Sequence, residues 1–105
     1  MSDGLDKLFA TIAARKDGDT SQSYTAKLLA AGVEKCAKKF GEEAVETVIA
    51  AIQKDKTELA KESADVLYHL AVLWAASGIT PEDVYAVLKS REGISGLDEK
   101  AARTR

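Results

Sequence analysis

Two acidic pairs, set at matching distances from one short turn, constrain this chain of 105 residues more than anything else in its sequence. They are Glu43 with Glu46 and Glu62 with Asp65. Residues three apart project from the same side of a helix, and the stretches carrying these acids read as long helices joined near Asp55. So short a connection makes neighbouring helices antiparallel. Glu46 lies nine residues before Asp55 and Asp65 ten residues after it. At the helical rise both stand about 15 Å from the turn, at the same height. Four carboxylates then converge between two helices. Like charges repel, and partial burial strengthens the repulsion, so the chain must supply protons, Lys/Arg partners or a cation there.

The remaining sequence fits an all-α fold, a single-domain bundle of four main helices over residues 1–105. Seven Gly and one Pro are too few for the turns of a sandwich or barrel, while 18 Ala and 10 Leu among many Glu and Lys favour helix. The first helix is predicted over residues 5–15, capped by Ser2 or Asp3, with Leu5, Leu8 and Ile12 as its apolar stripe. The second starts after Ser23 and reaches about Lys54, with Gly32 and Gly41 each a potential kink or break. The third spans residues 56–77, from an Asp55 cap with Glu58 placed for a capping box to a stop at Gly78. The fourth opens at Thr80-Pro81-Glu82-Asp83 and ends near Arg91. On the third helix Leu59, Val66, Leu70 and Leu73 share one face, with His69 at its edge.

Composition excludes several chemistries. One Cys and one His cannot build a Cys/His zinc site within the chain, and a lone Cys forms no internal disulfide, which points to a reducing cytoplasm. No apolar run approaches a membrane span, and the first residues lack the basic and apolar regions of a signal peptide. A net charge of −2 offers no basic excess for nucleic acid.

The acids admit two readings. Lys38 stands four residues before Glu42 and Lys39 four before Glu43, so the acids can be a solvated, ion-paired face. Alternatively they hold a hard divalent ion. All-oxygen ligands favour Mg²⁺, Mn²⁺ or Ca²⁺, and Mg²⁺ held by a few carboxylates completes its shell with water and substrate phosphates. The second reading therefore predicts a phosphate-bearing substrate.

Glu42-Glu43-x-x-Glu46 followed by Glu62-x-x-Asp65 resembles the metal motif of the all-α, MazG-like nucleoside triphosphate pyrophosphohydrolases. Three further segments resemble one branch, the phosphoribosyl-ATP pyrophosphohydrolase family of histidine biosynthesis. They are Ser23-Tyr24-Thr25-Ala26-Lys27-Leu28-Leu29 with Gly32, Lys39-Phe40-Gly41-Glu42-Glu43-Ala44 with Glu46, and Glu62-Ser63-Ala64-Asp65-Val66-Leu67-Tyr68-His69. The ending, Ser95-Gly96-Leu97-Asp98-Glu99-Lys100 with Arg103, is similar too; Cys36 and Phe40 stand where the family has aliphatic residues. The resemblance implies hydrolysis of phosphoribosyl-ATP to phosphoribosyl-AMP and pyrophosphate at the α–β linkage, with Mg²⁺ (Mn²⁺ as substitute) held by Glu43, Glu46, Glu62 and Asp65. Glu42 is then a further ligand or a water-orienting base, so Glu42 and Glu46 are the catalytic candidates. It also implies a homodimer with sites near the interface, which the apolar run over residues 48–52 independently favours. The chain leaves no room for a second catalytic domain, so a separate phosphoribosyl-AMP cyclohydrolase is the expected partner. The competing expectations are a house-cleaning (d)NTP pyrophosphohydrolase and a non-catalytic helical dimerisation module.

Among single residues, Lys27 and Lys39 are the expected phosphate contacts, with Ser23, Tyr24 and Thr25 as helix cap or substrate contacts. Lys35 and Lys38 read as solvated. His69 reads as a hydrogen-bonded core-edge residue, Trp74 and Cys36 as core. Tyr68 or the C-terminal tail is expected to complete a pocket across the dimer.

Overall fold

The computed structural model describes residues 3–93, which form five helices and no strand. They are α1 (Asp3–Ala14), α2 (Tyr24–Ala31), α3 (Val33–Ile52), α4 (Lys56–Ser77) and α5 (Pro81–Ser90). The similar C-terminal ending, residues 95–103, and its expected pocket role lie outside the described residues, as does the Ser2 cap.

Five helices replace the expected four because Gly32 divides the second. Its φ of +97° and ψ of 174° belong to a region open only to glycine, and a Cβ there would meet nothing within 4 Å. The requirement is therefore for the backbone angle, not for space. Gly41, the other potential break, continues α3 without interruption.

Local chemistry fixes the other ends. Ser23 Oγ accepts the Ala26 N–H at 3.1 Å, and Asp55 Oδ1 accepts the Glu58 N–H at 3.0 Å. Glu58 does not close the expected capping box; its carboxylate lies 3.9 Å from Lys61. Gly78 ends α4 in the left-handed region, and Thr80 with Asp83 forms a reciprocal capping box at α5.

The α3–α4 hairpin is the most extensive helix contact, turning through Lys54 and Asp55, with α1 and α2 packed on α4. The core gathers Ile12, Leu28, Cys36, Ala71 and Val72, joined by Leu8, Phe9, Tyr68 and Leu73. Cys36 Sγ donates to the Leu28 carbonyl at 3.3 Å, tying α3 to α2. On α4 the expected stripe of Leu59, Val66, Leu70 and Leu73 is only half-buried; the buried residues are His69, Ala71, Val72 and Trp74. Because α1, α2 and α3 all press on α4, its most protected ground is its C-terminal half on several sides, not one stripe.

The face of α3 turned from this core is apolar and exposed. Val45, Val48, Ile49 and Ile52 recur at helical spacing and are about half to three-quarters exposed, Ile52 most at 74%.

Candidate active site

The hairpin brings three of the four expected ligands together. Glu43 of α3 and Glu62 and Asp65 of α4 each place a carboxylate oxygen within 4.8 Å of the others. Glu43 and Glu62 are half-buried and Asp65 is exposed, so the cluster opens to solvent on one side. Glu46, the fourth, is exposed and stands beside the trio. A hydrogen bond shared with Glu43 and that group's charge hold Glu46 above the ordinary carboxylate value, with Lys39 opposing. Burial, followed by the charge of Glu46, raises Glu62 likewise.

Among the described residues no ion pair is made to the trio, although the Lys39 charge acts on Glu43 and Glu46. The ion pairs among the described residues are Lys39 with Glu42 at 3.4 Å and Lys61 with Glu58. Glu62 Oε2 is buried and has no hydrogen-bond partner. An unpaired buried carboxylate oxygen between two further carboxylates is costly unless a cation completes it. The donor set, all carboxylate oxygens, is that of a hard divalent ion. The residues thus fit a metal centre of Glu43, Glu62 and Asp65, with Glu46 adjacent. Glu42 points its charge to Lys39 and so is tethered outside the trio.

Two recesses meet at Lys39. One, about 450 Å³, is lined by Lys39, Glu42, Glu43, Val45 and Glu46. The other, about 270 Å³, is lined by Tyr24, Lys27, Leu28, Ala31, Lys35 and Lys39. The Tyr24 phenol first, then Glu42, hold the Lys39 ammonium above its usual value, which keeps it charged at the junction. Of the residues expected at a helix start, Ser23 is engaged as the α2 cap, and the Thr25 hydroxyl is bonded to the Tyr68 hydroxyl. Through this bond Tyr68 ties α2 to α4. Tyr24 and Lys27 face the basic recess.

Lys35, read as solvated, is exposed, and it also lines the basic recess. His69, read as a core-edge residue, is 6% exposed with Nδ1 lacking a partner, its ring edge-on to Tyr68 and Tyr24. Burial, then the Lys39 charge, lowers its pKa against the pull of Asp65 and Glu42.

Comparison with known proteins agrees with this geometry. A family described as phosphoribosyl-ATP pyrophosphohydrolase matches residues 5–92. The chain belongs to the phosphoribosyl-ATP pyrophosphohydrolase family. It is 65% identical over 99 residues to a phosphoribosyl-ATP pyrophosphatase of Parvibaculum lavamentivorans, covering 94% of this chain and 91% of that one. It is 59% identical to one from Cereibacter sphaeroides, covering 94% and 96%. A third, from Paramagnetospirillum magneticum, is 56% identical over 101 residues, covering 96% and 93%. The family match takes in the whole acidic cluster and both recesses. Among the described residues, no helix of this family member is long and apolar enough to cross a membrane.

Proposed function

We propose that this chain hydrolyses phosphoribosyl-ATP to phosphoribosyl-AMP and pyrophosphate at the α–β anhydride, the second step of histidine biosynthesis, in the cytoplasm. The observation that carries the reading is the trio of Glu43, Glu62 and Asp65 with an unpaired buried oxygen, in a chain of this family.

Glu43, Glu62 and Asp65 would hold Mg²⁺, with Glu46 beside them to complete the set, and Mn²⁺ could take its place. When bound, the ion neutralises charge developing on phosphate oxygens and lowers the pKa of a water. The chain's own groups do the rest. Lys39 supplies a fixed positive charge at the edge of the acidic recess, where it meets phosphate as a point charge. Glu46 and Glu42 line that recess as carboxylates able to orient the water and accept its proton. Tyr24 and Lys27 receive the remainder of the substrate, with Ser23 and Thr25 setting the start of α2 behind them.

The functional unit is a homodimer. The exposed stripe Val45, Val48, Ile49 and Ile52 runs beside the acids, and a two-fold contact over it places two sites next to one interface. The product is the substrate for a phosphoribosyl-AMP cyclohydrolase.

The test is a substrate panel. Pyrophosphate release should depend on Mg²⁺, stop with EDTA, and favour phosphoribosyl-ATP over common NTPs and dNTPs. Equal or faster release from ordinary nucleotides would assign the chain to nucleotide house-cleaning instead.

A further inference from the structure

Lys27 and Lys35 lie on either side of Gly32. In one continuous helix, eight residues would separate them by about 12 Å along the axis. The φ of +97° at Gly32 ends α2 and restarts the chain as α3, and both lysines then line one recess of about 270 Å³. Lys39, one turn beyond Lys35, closes its third side. No carboxylate lines this recess, and among the described residues neither Lys27 nor Lys35 has an ion-pair partner. Its floor is Leu28 and Ala31 and one wall is the exposed ring of Tyr24. Three positive charges over an apolar floor, with an aromatic wall, suit a phosphate ester on a sugar.

The substrate class has two anionic ends. One is the triphosphate, whose α–β anhydride is cleaved. The other is the 5-phosphate of the extra ribosyl group on the adenine, which the reaction leaves untouched. The acidic recess would take the first once its carboxylates held a cation. A phosphate ester without a cation is repelled by carboxylates and needs a positive site of its own.

We propose that the recess between α2 and α3 binds the 5-phosphate of the phosphoribosyl group, with Lys35 and Lys27 as its counter-charges, and so separates phosphoribosyl-ATP from ATP. The assignment rests on the reaction proposed above. Lys39, shared by both recesses, sets the spacing between the two anionic ends.

The product phosphoribosyl-AMP retains the 5-phosphate and has lost the pyrophosphate; its remaining α-phosphate is shared by AMP, so the difference between the two ligands without metal reads this recess apart from the metal centre. Calorimetric titration in EDTA should show the full-length protein binding phosphoribosyl-AMP at least tenfold more tightly than AMP. Lys35→Ala should weaken phosphoribosyl-AMP about tenfold, the loss of one charge-assisted phosphate contact, and leave AMP unchanged. Lys35→Arg should retain most of the affinity. In turnover with Mg²⁺, KM for phosphoribosyl-ATP should rise by the same factor in Lys35→Ala, with kcat within twofold. Wild-type affinity of Lys35→Ala and Lys27→Ala for phosphoribosyl-AMP, or an equal loss for AMP, overturns the assignment. Failure of the reaction itself looks different: the wild-type protein then releases no pyrophosphate from phosphoribosyl-ATP. Failure of the recess alone leaves that release intact and the KM of Lys35→Ala unaltered.

Discussion

Truncating Ile52 to Ala tests the proposed homodimer at the most exposed large apolar side chain among the described residues. In the protomer Ile52 is 74% exposed, at the end of the stripe of Val45, Val48 and Ile49. Full burial of such a side chain stabilises by about 1.5–3 kcal/mol, so covering the exposed three-quarters is worth about 1–2 kcal/mol per copy. A two-fold interface presents the residue twice, giving about 2–4 kcal/mol per dimer. At 1.4 kcal/mol per decade, the dimer dissociation constant should rise about 30- to 1,000-fold. The protomer loses little, because most of the side chain already contacts solvent and Ala is the better helix former. Sedimentation equilibrium from nanomolar to micromolar chain concentration reads the shift, and specific activity on dilution should fall in parallel. The wild-type chain should sediment at about twice its 11.2 kDa mass. An unchanged dissociation constant in Ile52→Ala would remove this stripe from the interface. A wild-type monomer with full turnover would refute the dimer while leaving the metal centre standing.

Mg²⁺ at about 100 times its dissociation constant should stabilise the wild-type fold by about 2.7 kcal/mol, seen as a rise in Tm; Glu62→Gln should lose most of that rise, and an equal rise would exclude Glu62 as a ligand. Glu46→Gln and Asp65→Asn should each lose turnover by orders of magnitude while keeping the helical circular dichroism and a metal-free Tm no lower than wild type, since repulsion falls; wild-type turnover in either would refute its role. The pH dependence of stability has two opposed parts. His69 has a folded pKa below its unfolded 6.5, so the unfolded chain takes up the proton first and stability is lost as pH falls below about 6.5. Glu46 and Glu62 have folded values above 4.5, so in EDTA they return stability as pH falls through those raised values. Urea titrations from pH 7.5 to 4 should therefore show His69→Gln losing less stability than wild type near pH 6, and parallel curves would contradict the burial of a neutral imidazole.

What could be read from the sequence was what local chemistry decides. Ser23, Asp55 and Thr80 cap helices because each side chain reaches an N–H a few residues on. The acidic trio was legible because a fixed helical period and one short turn set its height. Glu46 falls outside the tightest grouping because helical geometry sets it about 60° around α3 from Glu43, toward solvent. Nothing in the neighbourhood of Gly32 distinguishes it from Gly41 as a break; the bond from Cys36 to the Leu28 carbonyl, across the bend, shows that packing of α2 on α3 accompanies the choice. Lys35 could not be recognised for the same reason, since its position opposite Lys27 exists only after that bend. The pairing of Thr25 with Tyr68, 43 residues apart, likewise has no local signal.

Cys36 gives the molecule a built-in gauge of its own opening. It is the only thiol in the chain, 1% exposed, and its Sγ is bound to the Leu28 carbonyl across the α2–α3 bend. Burial raises its pKa, so the closed form offers a thiol-reactive dye neither access nor thiolate. Labelling then proceeds only through molecules in which α2 has swung away from α3. With reclosing faster than labelling, its rate measures the population of that open form. Such motion would separate Lys27 from Lys35 without disturbing the α3–α4 hairpin. Ligands seated between α2 and α3 should therefore slow dye incorporation strongly. A divalent ion on the hairpin should slow it only to the extent that it suppresses global unfolding. One reaction, followed by absorbance, thus distinguishes the two halves of the site by the movements each forbids.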